Sequence, residues 1–219
     1  MKASLDRDRW IVALADGIGG HRAGAYASRE VLKILASASD HTPDGIKQTL
    51  LAANRQLHAV GRERPELEGT GATVVGIVAG TEGIFGFNVG DARLYRQHAG
   101  RLRLITQDDS VAQLLVNEGL MNEQEGIRSS YLHALTQSIG GSTEHHLIEP
   151  HVYPLTVARS ARFLLCTDGL TDMLPSREME GFVVSQSTPM AAVQALFSAA
   201  MEAGGHDNIT IAVVDVEKV

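Results

Sequence analysis

The 219-residue sequence predicts an α+β fold with sheets in the middle and helices outside. Three observations carry that expectation. Segments with helical spacing are grouped apart from the strands. The β signals follow one another closely across tight turns, the mark of an antiparallel meander. No linker, internal repeat or low-complexity tract divides the chain, and this length holds a sizeable core, so a single domain spanning residues 1–219 is expected.

Taken in order, residues 12–15 (VALA) are apolar without alternation, as in a strand covered on both faces. Asp16 follows at the strand end, and four glycines (17, 19, 20 and 24) come within the next eight residues. Asp16 there reads either as a helix N-cap or as part of an ion site. Residues 23–37 have helical spacing, with Ala27, Val31, Leu32, Ile34 and Leu35 as the apolar stripe. After the breaker HTPDG, residues 46–60 repeat that pattern through Leu50, Leu51, Ala53, Leu57 and Val60. ERPELEGTG reads as a loop. Strands are expected in ATVVGIVAG, GIFGFNVG, ARLYRQ and RLRLIT, then a short helix over residues 111–118 and a mobile polar stretch, MNEQEGIRSSY. HLIEPHVYPLTV and ARFLLCT supply further strands. Residues 189–203 give a late helix, and NITIAVVDV closes the chain with a strand.

Composition excludes several classes of function. Apolar residues make up 44% and charged residues 21%, near the average for globular proteins. A formal charge of −7, with no cluster of lysine or arginine, argues against nucleic acid or an anionic membrane as the main partner. The single cysteine, Cys166, rules out an internal disulfide framework and fits a reducing compartment; in RFLLCTDG it reads as a buried strand residue and not as a nucleophile. No apolar run reaches the length of a membrane span and no signal-peptide pattern is present, so a cytoplasmic location is expected.

Four carboxylates share one context, an apolar run that ends where Asp adjoins Gly or Asn: Asp16 (ALADGIGG), Asp91 (FNVGDAR), Asp168 (LLCTDGL) and Asp207 (GGHDNIT). Strand ends of packed sheets lie close in space, and converging carboxylates repel unless cations neutralise them. Oxygen-rich sites of this kind suit Mg²⁺ or Mn²⁺. The nine histidines show no spacing typical of zinc. The Walker phosphate loop G-x-x-x-x-G-K-[ST] is absent as well.

With these motifs in place the sequence resembles the metal-dependent Ser/Thr protein phosphatases (PPM, type 2C) in their compact bacterial form. The resemblance runs in order through ADGIGGHRAGAYAS, GTGATVV, NVGDARLY, ITQDDSVAQLLVNEGLM, LHALTQSIGG, LLCTDGLTDML and GGHDNITIAVV. It implies two antiparallel β-sheets packed as a sandwich with helices on both outer faces, an α-β-β-α layering. It also implies hydrolysis of phosphoserine and phosphothreonine in proteins by a metal-bridged hydroxide, with substrates supplied by an opposing Ser/Thr kinase and the chain acting as a monomer. Asp16 matches the aspartate that bridges two cations, the carbonyl of Gly17 matches a backbone ligand, and Asp168 and Asp207 match the remaining ligands of the first metal. Asp91 with Asp168 matches a third metal site. Asn208 matches a neighbour that orients Asp207. Residues 106–140 align with the variable flap beside the family's active site.

One departure is visible. Family members carry an arginine and an Asn-Glu-Asp segment shortly before the first Asp-Gly, whereas this chain opens MKASLDRDRWIVALADG. The usual phosphate-holding arginine and part of the second metal's shell are therefore not matched, and a sheet edge is expected to be exposed. Arg7 and Arg9 read as solvated charges beside the first strand, Asp6 and Asp8 as remote substitutes for the second site, and His21 as structural. An altered domain that binds phosphoproteins without turnover is the alternative reading.

Overall fold

The computed structural model describes residues 2–5, 9–18, 21–141 and 147–217, with the backbone alone for residues 2–5 and His21. The chain opens with two strands, β1 (Lys2–Leu5) and β2 (Trp10–Ile18), then two helices, α1 (His21–Ala36) and α2 (Pro43–Glu63). Four strands follow, β3 (Gly71–Gly80), β4 (Gly83–Val89), β5 (Arg93–His98) and β6 (Arg101–Leu104), not as the single meander expected but as two hairpins, one in each sheet. The next segment holds two short helices, α3 (Val111–Asn117) and α4 (Glu123–Ile127), and returns through β7 (Ile139–Gly140) and β8 (His151–Leu155). The chain continues with β9 (Ser160–Cys166), α5 (Asp168–Thr171), α6 (Ser176–Ser185), α7 (Pro189–Glu202) and β10 (Ile211–Glu217).

The strands form two antiparallel sheets. One has the order β1-β2-β3-β4-β8, with β7 also paired to β3; the other has the order β10-β9-β5-β6. Their layering follows from strand periodicity. On β3, Val74 and Val78 pack with Val31, Leu35, Leu50 and Leu57 of α1 and α2, while Val75 and Ile77 point the other way, onto Leu94, Phe163 and Leu165 of the second sheet. On β9, Leu164 and Cys166 turn away from the first sheet, toward Leu170, Met179, Val183 and Leu196 of α5, α6 and α7. Three apolar layers thus separate four structural ones, the predicted sandwich with helices on both outer faces. A strand buried on both sides reads as an unbroken apolar run, which is why β3 and β9 were legible.

Local chemistry sets the helix starts. Thr42 caps α2 by accepting the Gly45 N–H at 3.1 Å, with Pro43 at the first helical position. Ser110 caps α3 and Thr188 caps α7 in the same way.

Several expectations change. The expected loop at residues 63–71 contains a 3₁₀ turn, Pro65–Leu67, that buries Leu67. The stretch expected to be mobile and polar contains α4, closed by a capping box between Asn122 and Glu125. Helix α6 was not foreseen, because only Met179 and Val183 of its ten residues are buried and so little apolar period is written in the sequence. Strand β1 was not foreseen either. It runs along β2 from Leu5 opposite Trp10 to Lys2 opposite Ala13, so β2 is not the exposed edge that the sequence suggested.

Candidate metal centre

Strand β2 extends two residues past Asp16, so this carboxylate leaves the sheet from within a strand and not from its end. Gly17 opposes Ala72 on β3, and its outer face meets the first turns of α1. A Cβ on Gly17 would stand 2.1 Å from the carbonyl oxygen of Gly24. The glycine after the aspartate therefore permits helix and strand backbones to touch, a reason independent of any ligand role for its carbonyl.

The same contact recurs on the second sheet. A Cβ on Gly169 would stand 2.3 Å from the carbonyl oxygen of Asn208, so α5 packs directly on the segment entering β10 and sets Asp168 beside Asp207. Asp91 arrives from the turn after β4, through Gly90 at φ +96°. That turn is held by Asp109, whose Oδ2 accepts the Gly90 N–H at 2.8 Å and whose own N–H donates to the Gly90 carbonyl at 3.0 Å.

Three of the acids are fixed in one manner. Oδ1 of Asp16 accepts the Gly17 N–H at 2.8 Å, Oδ1 of Asp168 accepts the Gly169 N–H at 2.8 Å, and Oδ1 of Asp207 accepts the Asn208 N–H at 2.6 Å. Each bond sets the rotamer while leaving Oδ2 for another partner. Asn208 adds a side-chain contact to Asp207 at 3.4 Å. The reading of Asp16 as a helix N-cap is not what the structure shows, since its bond is to the adjacent strand residue.

Asp16, Gly17, Asp91, Asp168, Asp207 and Asn208 all line one cavity of about 540 Å³. The electrostatics record the crowding. Burial first, then the charge of Asp168, pushes the Asp16 carboxyl up to about 6. Burial, then Asp168 and Asp108, pushes Asp91 up to about 7. Carboxyls that resist ionisation in one shared cavity fit a site whose charge is balanced by a hard cation, and the donor set is almost wholly oxygen.

Residues outside the sequence reading join them. His133, near the end of the segment 106–140, lines the same cavity, and among the described residues the one trio of potential ligands drawn within 4.8 Å of each other is Asp91, His133 and Asp168. Asp172 lies one helical turn beyond Asp168, and burial raises its carboxyl while His133 opposes the rise. The four-residue spacing in DGLTD was the available signal for Asp172; a lone histidine offers none. Arg93 forks onto Asp108 with contacts of 2.9 and 2.6 Å, so this arginine, the nearest to Asp91 in sequence, is already engaged.

The remaining candidates fall elsewhere. Arg9 is exposed at the far end of β2 from Asp16, near Asp40, whose carboxyl is held low chiefly by hydrogen bonds from Thr42. Cys166 is fully buried, and burial pushes its thiol up to about 12, as suits an inert core residue. Asp6, Arg7, Asp8 and the side chain of His21 lie outside the described residues.

Two packed antiparallel sheets flanked by helices, with aspartates lining one cavity between them, define a four-layered α-β-β-α fold with a candidate metal centre. The protein phosphatase 2C family model matches residues 2–203, and the chain belongs to that family. It is 33% identical over 213 residues, 94% of its length, to the serine/threonine protein phosphatase PstP of Mycobacterium tuberculosis, and spans about 40% of that relative's length. The crystal structure of the Mycobacterium tuberculosis serine/threonine phosphatase PstP/Ppp is similar with a TM-score of 0.85 at 30% identity, covering 99% of this chain and 92% of that one. The catalytic domain of PstP in complex with two manganese ions is similar with a TM-score of 0.78 at 30% identity, covering 98% of this chain and 89% of that one.

Proposed function

We propose that this chain hydrolyses phosphoserine and phosphothreonine in proteins, dependent on Mg²⁺ or Mn²⁺. The observation that carries the reading is the gathering of Asp16, Asp91, Asp168 and Asp207 from both sheets into one cavity, in a chain of this family. Asp16, Asp168 and Asp207 would hold one cation, Asp16 with the Gly17 carbonyl a second, and Asp91 with Asp168 a third. When bound, these ions supply Lewis-acid chemistry, acidifying water and neutralising charge on the phosphoryl oxygens. The chain's own residues do the positioning. The adjacent N–H groups hold Oδ1 of three aspartates, and Asn208 braces Asp207. The buried cysteine and the arginine fork take no part in bond making.

A binding module without turnover is the less economical reading, because it gives no reason for four acids to share a cavity at the cost of their mutual repulsion. Among the described residues no helix is long and apolar enough to cross a membrane. The reading is completed by a cytoplasmic monomer whose phosphoprotein substrates come from a Ser/Thr kinase. The test is release of phosphate from a phosphothreonine peptide by the full chain, with Mn²⁺, with Mg²⁺ and with chelator. Metal-dependent turnover that disappears in Asp168→Asn is expected; turnover unaffected by chelator or by that substitution would overturn the reading.

A further inference from the structure

A second cavity, of about 410 Å³, opens beside the metal centre and shares Asp91, His133 and Asp168 with it as walls. Its apolar walls take no part in that centre. Ile127 and Leu132 stand on one side, on the segment between β6 and β7, and Leu174 and Pro175 stand opposite, between α5 and α6. Ile127 is 67% exposed at the end of a helix whose buried residue is Gly126, so core packing gives no reason for an isoleucine there.

Both sides are fixed. A Cβ on Gly126 would stand 2.9 Å from Cγ2 of Val116, so α4 lies directly on α3, and the Leu132 N–H donates to the Ser129 carbonyl at 3.1 Å. Across the cavity the Leu174 N–H donates to the Leu170 carbonyl at 2.9 Å, and the Asp172 N–H to the Asp168 carbonyl at 2.8 Å. Asp172 is thus held in the cavity wall one helical turn from a candidate metal ligand.

The acids of this cavity differ in what they face. Asp91 and Asp168 face the candidate cations, and Asp108, 6% exposed, is taken by the Arg93 fork. Asp172 is open: its side chain is 31% exposed, and Nε2 of His133 lies 3.8 Å from its Oδ2, beyond hydrogen-bond length. Arg128 and Arg177, the cations next in sequence to the rim, do not line the cavity. Apolar walls with one open carboxylate fit a side chain that has an aliphatic stem and a cationic head.

We infer that this cavity receives a lysine or arginine side chain of the phosphoprotein, within two residues of the phosphorylated one, its stem between Ile127, Leu132 and Pro175 and its head on Asp172. The inference rests on the phosphatase reading and adds a substrate class to it, phosphothreonine or phosphoserine beside a basic residue. The spacing follows from the shared walls, since two extended residues span about 7 Å. The formal charge of −7 acts in the same direction by drawing basic peptides to the surface. An apolar occupant would instead leave the Asp172 carboxylate against hydrocarbon, which is costly.

Peptides with one phosphothreonine and a lysine, leucine or glutamate at each of the two positions on either side test this on the full chain with Mn²⁺. The quantity read is the ratio of kcat/KM for the lysine and leucine peptides, taken within each protein so that overall activity cancels. A native ratio of about 10 or more at the best position is expected, falling to about 1 in Asp172→Asn. Asp172→Lys should reverse the order of the lysine and glutamate peptides. A native ratio near or below 1 at every position, or a ratio unchanged in both variants, would overturn the subsite while leaving the phosphatase reading intact. Fluorescence anisotropy of the labelled peptides supplies the same ratios as Kd where turnover is absent. A native chain that releases no phosphate from any of these peptides overturns the phosphatase reading, and the subsite then stands or falls on the Kd ratios.

Discussion

Gly17 and Gly24 meet backbone to backbone, so closely that a Cβ on the first would lie 2.1 Å from the carbonyl oxygen of the second. This contact joins the strand that carries Asp16 to the helix that follows it. Gly17→Ala should destabilise the protein by about 3 kcal/mol, the scale of an overpacked core, and should abolish metal-dependent turnover by displacing Asp16. Gly181, exposed within α6 with nothing near its missing Cβ, is the control. Gly181→Ala should stabilise by about 0.5–1 kcal/mol through helix propensity alone. Thermal unfolding of the two variants checks both, with opposite signs expected.

Carboxylate repulsion gives a second expectation. Asp91 is buried, and its carboxyl is held at about 7 by burial and by the charge of Asp168. Asp91→Asn removes the charge at position 91 that Asp168 repels, so the chelator-treated protein at pH 8 should melt higher by about 3–6 °C, the equivalent of about 1–2 kcal/mol at this size. Activity should fall, and with it the stabilisation that Mn²⁺ confers on the native protein. Calorimetric scans with chelator and with Mn²⁺ measure both. A lower melting point without metal would show that Asp91 contributes through hydrogen bonding and not through its charge.

The imidazole of His151 supplies the pH dependence. Its Nε2 lies 2.8 Å from Oδ1 of Asp109, and that hydrogen bond is the chief reason its pKa is raised above 6.5. A group whose pKa is raised on folding contributes stability that is fully present below its unfolded value and is lost as pH rises through the folded one. The native protein should therefore lose stability above pH 6.5 in a step that His151→Gln removes. Urea midpoints from pH 5.5 to 8.5 for both proteins test this.

Arg93 and Asp108 form a largely buried fork, their side chains 21% and 6% exposed. Asp108→Ala strands a buried guanidinium and should cost about 3–5 kcal/mol. Arg93→Lys keeps the charge and loses the fork, and should be distinctly less damaging. Urea unfolding of the pair separates the charge from its geometry.

The segment around α4 should act on substrate choice. Its buried content is small, Gly126 being the buried residue of the helix. Replacing residues 122–127 by a Gly/Ser linker should change kcat/KM for phosphopeptides by about 10-fold or more while leaving a small aryl phosphate within about 2-fold, because only the peptide is large enough to reach the segment. Equal changes for both substrates would contradict this role.

The sequence by itself determined the layers and the acids. Doubly buried strands such as β3 and β9 are written as unbroken apolar runs, and α1 and α2 as apolar stripes, because burial on one or two faces leaves a period in the residues themselves. Asp16, Asp91, Asp168 and Asp207 stood out because each adjoins Gly or Asn near the boundary of an apolar run. Elements that bury little left no such trace: α6 shows two buried side chains, and α4 and β1 depend on a capping box and on a neighbouring strand. Only the tertiary structure decided that Gly17 and Gly169 follow their aspartates so that backbones can touch. It alone brought His133 to Asp91 and Asp168, across 42 positions on one side and 35 on the other. An isolated histidine has no period and no partner in the linear chain, since its chemistry is set by neighbours that hydrogen bonds between distant segments deliver.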